Sequence, residues 1–470
     1  MARKERLQDP NHLGFGRLMA FKSSDIAAAW VQVIVLNRLS FYASTALGIS
    51  VATVGILLMA SKIVDAFTDI FAGILVDNTN TKWGKGRPYD LAIVGMTLCT
   101  ILLFSANPAW SNFAKCAWIF CMYTFVFSIF STLRLAAMNV YMIRHFSNNP
   151  VLLKKVASYG GIITMAASMM VSVAFPILMA RIATSAAGWT RAVAVIMVPA
   201  ALIGLLRFFL CKEDPAVGAD EKSERVNFKE ILTLFKRNKY VWIYALIMLS
   251  YNIITNLSVS SYYFYYIIGD LAKESLVGIL SIVVLPIMLI FPVLMKKIGS
   301  MGKMIAAFAV LGIVGYVMMF FFGKNVGVTY AALIIGNLAG LPVAYYGVLF
   351  IMNICNYNEM LGLRRMEASS GILGNFASKA GASLGSLVTG LVLAVGGFIS
   401  TTDLAATAQP ESALTMIRFD YALIPAIFMA VIMIGALAFA KLEPKAEAFE
   451  AEKKARLEAA AAAAEPAPAE

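Results

Sequence analysis

The chain has 470 residues, of which 60% are hydrophobic and only 14% are charged. Soluble globular chains are typically ~45–50% apolar and ~25% charged, so this composition excludes most soluble proteins and indicates an integral membrane protein. The net charge of +12 does not indicate a nucleic-acid partner, because membrane proteins collect Lys and Arg in their cytoplasmic loops. The five cysteines form no CxxC pair and there are two histidines, which predicts neither a disulfide framework nor a zinc site.

Apolar segments long enough to cross a bilayer recur along the whole chain. A spanning helix needs ~20 mostly apolar residues, and twelve candidates lie at 18–47, 51–76, 90–107, 115–143, 157–181, 190–211, 240–268, 276–296, 303–322, 328–354, 370–399 and 414–440. We therefore predict an all-α integral membrane protein with twelve transmembrane helices in two six-helix bundles.

Polar segments divide this predicted fold into parts. The N-terminal bundle is predicted over 1–211, a polar cytoplasmic linker over 212–239 and the C-terminal bundle over 240–440. The segment 441–470 ends in AAAAAAEPAPAE, which has too few apolar residues for a core and predicts a disordered cytoplasmic tail.

The loops on one side of the predicted membrane hold most of the Lys and Arg residues, for example Lys82, Lys85 and Arg87. Basic loops remain in the cytoplasm, so we predict a multi-pass protein of the cell membrane with both termini cytoplasmic. Six spans, a polar linker and six more spans are typical of secondary transporters, which bind substrate between two bundles near the membrane midplane.

Acidic residues recur along the second predicted span. Asp65, Asp69, Gly73 and Asp77 are spaced four residues apart and therefore share one helix face. At ~1.5 Å per residue, Asp69 and Asp65 lie about 12 and 18 Å from Asp77, deep in the membrane. Two neighbouring carboxylates in low dielectric need a compensating proton, Na⁺ or fixed basic residue. The pattern predicts a cation site, with a purely structural interhelical ion pair as the alternative.

Charged residues of other predicted spans reach a similar depth. Lys22 and Asp25 are about one turn apart on the first span, and Arg134 lies about 15 Å inside the fourth. Lys379 lies deep in the eleventh span, and Tyr345 in the tenth offers an aromatic face. Intramembrane charges are costly and mark functional sites. A ligand with many hydroxyl groups would find donors and acceptors in this layer.

The segment KIVDAFTDIFAGILVDNTNTKWGKGRP, residues 62–88, carries the most specific motif of the chain. It closely resembles the signature of the glycoside–pentoside–hexuronide:cation symporters, a branch of the major facilitator superfamily that includes the melibiose permease. Three other stretches are similar to the same family: GFGRLMAFKSSD, YNIITNLSVSSYYFYYIIGD and ICNYNEMLGLRRMEASSGILGNFASKAGASL.

The resemblance implies roles for individual residues. Asp65 and Asp69 would be cation ligands, and metal ligands if the cation is Na⁺, with Thr68 as a possible further oxygen. The residues that would face the sugar are Lys22, Asp25, Asn375 and Lys379.

Arg134 departs from the family pattern, because the sodium-coupled sugar transporters of the family carry an Asp at the matching place on this span. The simplest interpretation is that Arg134 is the fixed counter-ion of Asp65 and Asp69, which leaves about one carboxylate for a proton and weakens the case for Na⁺. Alternatively, Arg134 binds the carboxylate of an anionic substrate with two nitrogens. It is therefore also a candidate substrate residue.

Basic and acidic residues also mark the cytoplasmic ends of the second and third spans. Asp77, Lys85 and Arg87 could form a charge network that holds the inner side shut, with Gly73 on the same helix face. We predict a gating role for these four residues.

The leading functional hypothesis is cation-coupled symport of a sugar or glycoside by alternating access. The coupling ion is H⁺ or Na⁺, no other cofactor is expected, and the partners are a small sugar and membrane lipids, with no nucleic acid and a monomeric chain. The alternatives are symport of an anionic solute, such as a hexuronide or a lysolipid, and a non-transporting sensor on the same fold. The chain carries no P-loop, HExxH or GxSxG motif, so an enzyme is not expected.

Overall fold

The computed structural model describes residues 12–79, 81–147, 149–183, 185–214, 228–363, 367–401 and 408–449, together with 451, 452 and 455. In the second helix the side chains of Asp69 and Asp77 and the surroundings of Gly73 lie outside the described part.

Long helices account for most of the described residues. The first half of the chain forms α1 (Phe15–Thr45), α2 (Val51–Asn78), α3 (Ala92–Leu103), α4 (Asn112–His145), α5 (Pro150–Ile182) and α6 (Ala186–Leu210). A 3₁₀ turn, Arg87–Leu91, precedes α3, and α4 contains a π turn, Phe125–Ser131.

The second half contains more and shorter helices. They are α7 (Phe228–Arg237), α8 (Lys239–Thr255), α9 (Ser260–Tyr262), α10 (Ser275–Val284), α11 (Phe291–Ile298), α12 (Met301–Phe322), α13 (Val326–Tyr345), α14 (Gly347–Met360), α15 (Glu367–Val395), α16 (Glu411–Arg418) and α17 (Ile424–Phe439). A π turn, Tyr263–Ile267, continues α9, and a second one, Phe419–Leu423, joins α16 to α17.

Within the part of the chain that the structure describes, nine helices are long and apolar enough to cross a membrane. The second, third and eighth predicted spans are not among these nine described helices. In α2, the described apolar part is Val51–Lys62, and several of the side chains that follow it lie outside the described residues. The third has only the twelve residues of α3 as regular α-helix. The eighth is broken by the 3₁₀ segment Leu285–Ile290, which contains Pro286; proline cannot continue the α-helical hydrogen bonds.

The described chain divides into two compact units. Unit 1 comprises Met1–Ser223, Asn256–Ile282 and Ser383–Tyr421, and unit 2 comprises Glu224–Thr255, Val283–Ala382 and Ala422–Glu470. Three of the five unit boundaries fall inside α10, inside α15 and inside the last π turn. Parts of the second half of the sequence therefore belong to unit 1, which also contains Lys22, Asp25, Asp90, Arg134 and Arg207.

Small residues allow the helices of each unit to approach closely. In unit 1, a Cβ at Gly204 of α6 would meet Ile93 of α3 and Ala27 of α1. In unit 2, a Cβ at Gly312 of α12 would lie 2.7 Å from the Cβ of Ala339 on α13. These contacts replace the larger apolar side chains that fill a soluble core.

The segment after α17 corrects one prediction. The sequence predicts a disordered tail from residue 441, but residues 443–449 are helical. Leu442 and Ala446 are fully buried in the apolar core of unit 2, and Glu443 is 4% exposed. Burial of Leu442 and Ala446 stabilises this helix, so residues 443–449 do not belong to a disordered tail.

Candidate functional site

Asp25 of α1 is the centre of a cluster of charged residues in unit 1. Lys22 lies about one turn before it on the same helix, and its Nζ is 3.0 Å from Asp25 Oδ2. Lys22 is 8% exposed, and the Asp25 side chain is 11% exposed. Both charges are thus removed from bulk water and stabilise each other.

Arg134 of α4 reaches the same carboxylate. Its Nη1 is 2.6 Å from Asp25 Oδ1, and the residue is 5% exposed. The π turn Phe125–Ser131 ends three residues before Arg134, and such turns, which are frequent at functional sites, shift the face that the following helix presents. The Nε atom of Arg134 is buried without a hydrogen-bond partner.

Arg207 of α6 is the third basic residue of the cluster. Its Nη1 donates to Asp25 Oδ1 at 3.1 Å. The same guanidinium binds Asp90 with two nitrogens, Nε to Oδ2 at 2.6 Å and Nη2 to Oδ1. Asp90 lies in the 3₁₀ turn before α3, so these contacts join α1, α3, α4 and α6 at one point.

The charges of this cluster do not balance among the described side chains. Lys22, Arg134 and Arg207 carry three positive charges, while Asp25 and Asp90 carry two negative charges. The excess of one positive charge in a largely buried place would favour an anionic group nearby. A partly satisfied guanidinium such as that of Arg134 is well suited to bind it.

Gly160 of α5 provides the space that Lys22 occupies. A Cβ on Gly160 would lie 2.1 Å from Lys22 Cε, whereas a Cβ on the neighbouring Gly161 would meet no atom within 4 Å. The absence of a side chain at residue 160 is therefore a condition for the observed position of the lysine.

The predicted cation site on α2 has different partners from those expected. Asp65 accepts a hydrogen bond from the Thr132 hydroxyl at 3.1 Å, and Lys62 Nζ lies 3.8 Å from its carboxylate. The Thr68 hydroxyl donates to the backbone oxygen of Asp65 at 3.0 Å. Of the predicted ligands, Asp69 has its side chain outside the described part.

The prediction that Arg134 is the counter-ion of Asp65 is wrong. Arg134 pairs with Asp25, and the basic residue beside Asp65 is Lys62, about one turn earlier on α2. The depth of a residue along the membrane can be estimated from its position in a helix, but depth does not specify the side of the helix that it occupies. Arg134 and Thr132 lie close in sequence and contact different carboxylates.

The remaining predicted substrate residues belong to unit 2. Asn375 and Lys379 lie one turn apart on α15, and both are exposed. Tyr345 at the end of α13 is 43% exposed, and its ring packs edge-on against Phe291 and Tyr346. Three predicted substrate residues, Lys22, Asp25 and Arg134, are therefore brought together, and the other three are placed in the second unit.

Two of the predicted gating residues are held by the segment after α6. The Glu213 carboxylate accepts hydrogen bonds from the backbone nitrogens of Lys85 and Gly86, both at 2.9 Å, and from that of Arg87. The Arg87 side chain donates to Phe208 O at 2.8 Å. Gly73 and Asp77, the other predicted gating residues, lie outside the described side chains.

Unit 2 repeats this arrangement. Glu443, which follows α17, accepts a hydrogen bond from the backbone nitrogen of Gly302 at 2.6 Å. In each half, a Gly-Lys segment thus donates backbone hydrogen bonds to a glutamate that follows the last span of that half, and in unit 2 this segment is the first turn of α12. The two segments resemble each other in sequence, GKGR and GKM, and in having backbone nitrogens that donate to a glutamate.

The far end of α1 in unit 1 carries a second buried ion pair. Arg38 pairs with Glu274, and its Nη1 also donates to Ser261 Oγ at 2.5 Å. Next to it, the hydroxyl of Tyr262 contacts Ser44 Oγ at 2.7 Å and Ser40 O at 2.8 Å. These contacts tie α1 to α9 and to the start of α10.

Sequence reasoning missed Arg207, Asp90 and Glu274. Arg207 and Asp90 lie at the predicted ends of their spans, where charges are ordinary. Both nevertheless fall within predicted spans, 190–211 for Arg207 and 90–107 for Asp90, and this position could have indicated their burial. Glu274 lies in a short connection, next to the exposed Asp270 and Lys273, and its sequence gave no sign of burial.

Comparison with known proteins assigns the chain to a family. Residues 20–443 match the family described as MFS/sugar transport protein. The chain belongs to this family. It is therefore a multi-pass membrane transporter and not an enzyme, and the predicted resemblance to the glycoside–pentoside–hexuronide:cation symporters is confirmed.

Individual relatives agree with this assignment. The isoprimeverose transporter of Lactiplantibacillus pentosus is 28% identical, over 93% of this chain and 91% of the relative. The glucuronide carrier protein homolog of Escherichia coli strain K12 is 24% identical, over 89% and 90% of the two chains.

Solved structures support the fold. The nucleoside transporter NupG matches with a TM-score of 0.63 and 13% identity, over 90% of this chain and 98% of that one. The major facilitator fold predicted from the sequence is thereby confirmed, while the general function of sugar transport rests on the family match and on the relatives.

Proposed function

We propose that this family member is a proton-coupled symporter that carries a sugar or glycoside across the cell membrane by alternating access. Support for a coupling cation comes from the family and from relatives such as the putative glycoside/cation symporter YagG of Escherichia coli strain K12. The choice of the proton rests on one observation, the position of Lys62 beside Asp65.

The fixed ammonium changes the charge of the predicted cation site. Lys62 Nζ lies 3.8 Å from the Asp65 carboxylate, and Asp69 adds a second acid on the same face of α2. Two carboxylates and one ammonium leave a single negative charge, which one proton neutralises. A sodium ion would need several oxygen ligands and would have to compete with Lys62 for one of them.

The test is uptake of radiolabelled glycosides into proteoliposomes at fixed membrane potential. We expect uptake to rise when the outside is made acidic and to be unchanged by external Na⁺ at constant pH. A large, saturable stimulation by Na⁺ would contradict proton coupling. The variant Lys62→Gln removes the ammonium, and we expect it to lose accumulation or to become dependent on an added cation, while Lys62→Arg keeps the charge.

We propose Lys22, Asp25, Arg134, Asn375, Lys379 and Tyr345 as the substrate residues. Lys379→Met should abolish accumulation in a protein that remains folded, since the ammonium would no longer donate to substrate hydroxyls. Ser378→Ala, one residue earlier, is the matched control because the Ser378 hydroxyl bonds to Gly374 O of its own helix. Normal uptake by Lys379→Met would exclude the lysine from the site.

An anionic sugar is a second candidate substrate, and the excess positive charge of the Asp25 cluster favours it. The buried, unpaired Nε of Arg134 and the convergence of three basic residues would suit a hexuronide carboxylate. The relatives include a transporter of isoprimeverose and a glucuronide carrier homolog, so both classes are worth testing. Competition by a glucuronide and by the matching uncharged glucoside separates the two.

The proposed topology places both termini and the loops around Lys85 and Lys303 in the cytoplasm. The chain is proposed to be monomeric, with lipids around its apolar surface. Protease protection of a C-terminal tag in intact cells tests the topology, because a cytoplasmic tag resists external protease.

A further inference from the structure

Asp420 is a buried carboxylate that the sequence analysis did not single out. It lies in the π turn Phe419–Leu423 and has an exposure of 0%. Neither of its oxygens has a hydrogen-bond partner, and the ion pairs among the described residues do not include it. It thus differs from Asp25 and Asp90, each of which is paired with arginine.

The surroundings fix the position of Asp420. The ring of the next residue, Tyr421, packs on Tyr263 with centroids 5.0 Å apart, and its hydroxyl donates to Ser260 Oγ at 3.2 Å. The π turn is therefore anchored to α9 and its continuation. Such turns are frequent at functional sites because they change the direction of single side chains.

The groups that face Asp420 cannot neutralise a carboxylate. From α15, the Thr389 hydroxyl lies next to it, but without the geometry of a hydrogen bond. From α9, Tyr262 lies close enough to interact electrostatically. Arg418, two residues earlier on α16, makes no ion pair with Asp420, and Arg38 is engaged by Glu274.

The same hydroxyl groups belong to a layer of polar contacts that we call the polar belt, formed by Ser40, Ser44, Ser258, Tyr262, Ser386 and Thr389. Ser258 N donates to Thr389 Oγ1 at 3.2 Å, and Ser258 Oγ contacts Ser386 Oγ at 3.4 Å and Leu36 O at 3.4 Å. Tyr262 contacts Ser40 and Ser44. The belt joins α1, α9 and α15 within unit 1, and two of its members, Tyr262 and Thr389, lie beside the fully buried Asp420.

An ionised carboxylate in such a place is strongly disfavoured, because no cation or donor replaces its lost hydration. The group avoids this cost by binding a proton. Opening of the polar belt would admit water, which can accept the proton and hydrate the resulting carboxylate.

We propose that Asp420 is a proton-binding site, occupied while the polar belt is closed, and that release of its proton accompanies opening of the belt. On opening, the carboxyl O–H bond breaks, its electron pair stays on Asp420 and the proton passes to water. This proton site is separate from the coupling-ion site at Asp65, because Asp420 lies in another element with other neighbours.

Infrared spectroscopy of the purified full chain in lipid nanodiscs tests the site directly. At neutral pH, we expect Asp420→Asn to remove a protonated-carboxyl C=O band that the unaltered protein shows. Asp420→Glu should retain such a band at a shifted position. Spectra of the protein and of Asp420→Asn that are identical in this region would overturn the proposal, and so would a band that Asp270→Asn also removes.

A labelling experiment tests the link to opening. Ser258→Cys places a thiol in the polar belt, where a water-soluble maleimide reacts only when the belt opens, and the protein without this cysteine gives the background. We expect the labelling rate of Ser258→Cys to rise with pH more steeply when Asp420 is intact than when it is combined with Asp420→Asn. Comparing the two proteins also corrects for ionisation of the thiol, which is the same in both. Equal pH dependence in the two backgrounds would overturn the link, and Asp420→Glu should restore the steeper response.

Discussion

Arg207 binds both oxygens of the Asp90 carboxylate, and the side chains of the two residues are each only 1% exposed. The pair links the turn before α3 to α6, and the remaining nitrogen of the guanidinium reaches Asp25. The Arg207 side chain therefore makes both a stabilising contact with Asp90 and a contact with the predicted substrate residue Asp25. Changes at Asp90 should affect both stability and transport.

Asp90→Asn should destabilise the protein strongly, because it leaves the buried charge of Arg207 with one carboxylate instead of two. Loss of one partner of a buried pair typically costs about 3–5 kcal/mol. Thermal unfolding in detergent measures the effect. The matched control is Asp270→Asn, whose partner Lys273 lies 3.8 Å away with both side chains 44% exposed, and where a cost of about 0–1 kcal/mol is expected. Equal melting temperatures for the two variants would contradict the assignment.

Arg134 should be energetically coupled to Asp25 and not to Asp65. In a double-mutant cycle, Arg134→Gln combined with Asp25→Asn should be less destabilising than the sum of the single changes, by about 0.5–3 kcal/mol. Combined with Asp65→Asn, the effects should add. Thermal unfolding of the purified variants gives both cycles, and a larger coupling to Asp65 would restore the counter-ion role predicted from the sequence.

Gly160→Ala should impair transport through Lys22. The added Cβ would overlap Lys22 Cε, so the ammonium must move away from Asp25 and the affinity for substrate should fall. Gly161→Ala adds the same methyl group in open space and should leave uptake unchanged, with a gain in stability of up to about 1 kcal/mol from helix propensity. Uptake kinetics of the two variants decide the question, and equal values would show that Lys22 tolerates displacement.

Glu213→Gln should loosen the loop around Lys85 without affecting the Gly302–Glu443 contact at the start of α12 in unit 2. Weakening hydrogen bonds to a charged acceptor costs about 1.5–3 kcal/mol, which corresponds to at least tenfold more frequent opening. Limited trypsin digestion followed by mass spectrometry should show faster cleavage between Lys85 and Gly86. Glu443→Gln is the reciprocal control, since Glu443 contacts Gly302 only in the other unit. Accelerated cleavage at Lys85 in both variants would argue for general destabilisation.

The sequence predicted the class of fold and much of the charged cluster, for reasons that are local. The pairing of Lys22 with Asp25 follows from their spacing on one helix, and hydropathy placed both deep in the membrane. The partner of Arg134 depends on how α1, α2 and α4 are rotated about their axes. The π turn in α4 changes that rotation, and no pattern in the sequence predicts this turn.

The missed residues share another property, which is that their burial is decided by distant parts of the chain. Arg207 and Asp90 resemble ordinary charges at the ends of spans until α3 and α6 are packed together. Asp420 resembles a charge at the end of a span until Tyr421 fixes the π turn against α9. Burial that results from packing between distant segments cannot be predicted from the sequence or the hydropathy of a single helix.

Glu213 and Glu443, which bind the two Gly-Lys segments, also determine when these segments can reach their final contacts during synthesis of the chain. The loop at Lys85 is bound by a residue 128 positions later, and the first turn of α12 at Gly302 by one 141 positions later. Each Gly-Lys segment therefore lacks its hydrogen bonds to glutamate until the final span of its half has left the ribosome and entered the membrane. The first half can form its glutamate contact before the second half has been synthesised. A chain that stops before Glu443 would enter the membrane without the contact that holds Gly302.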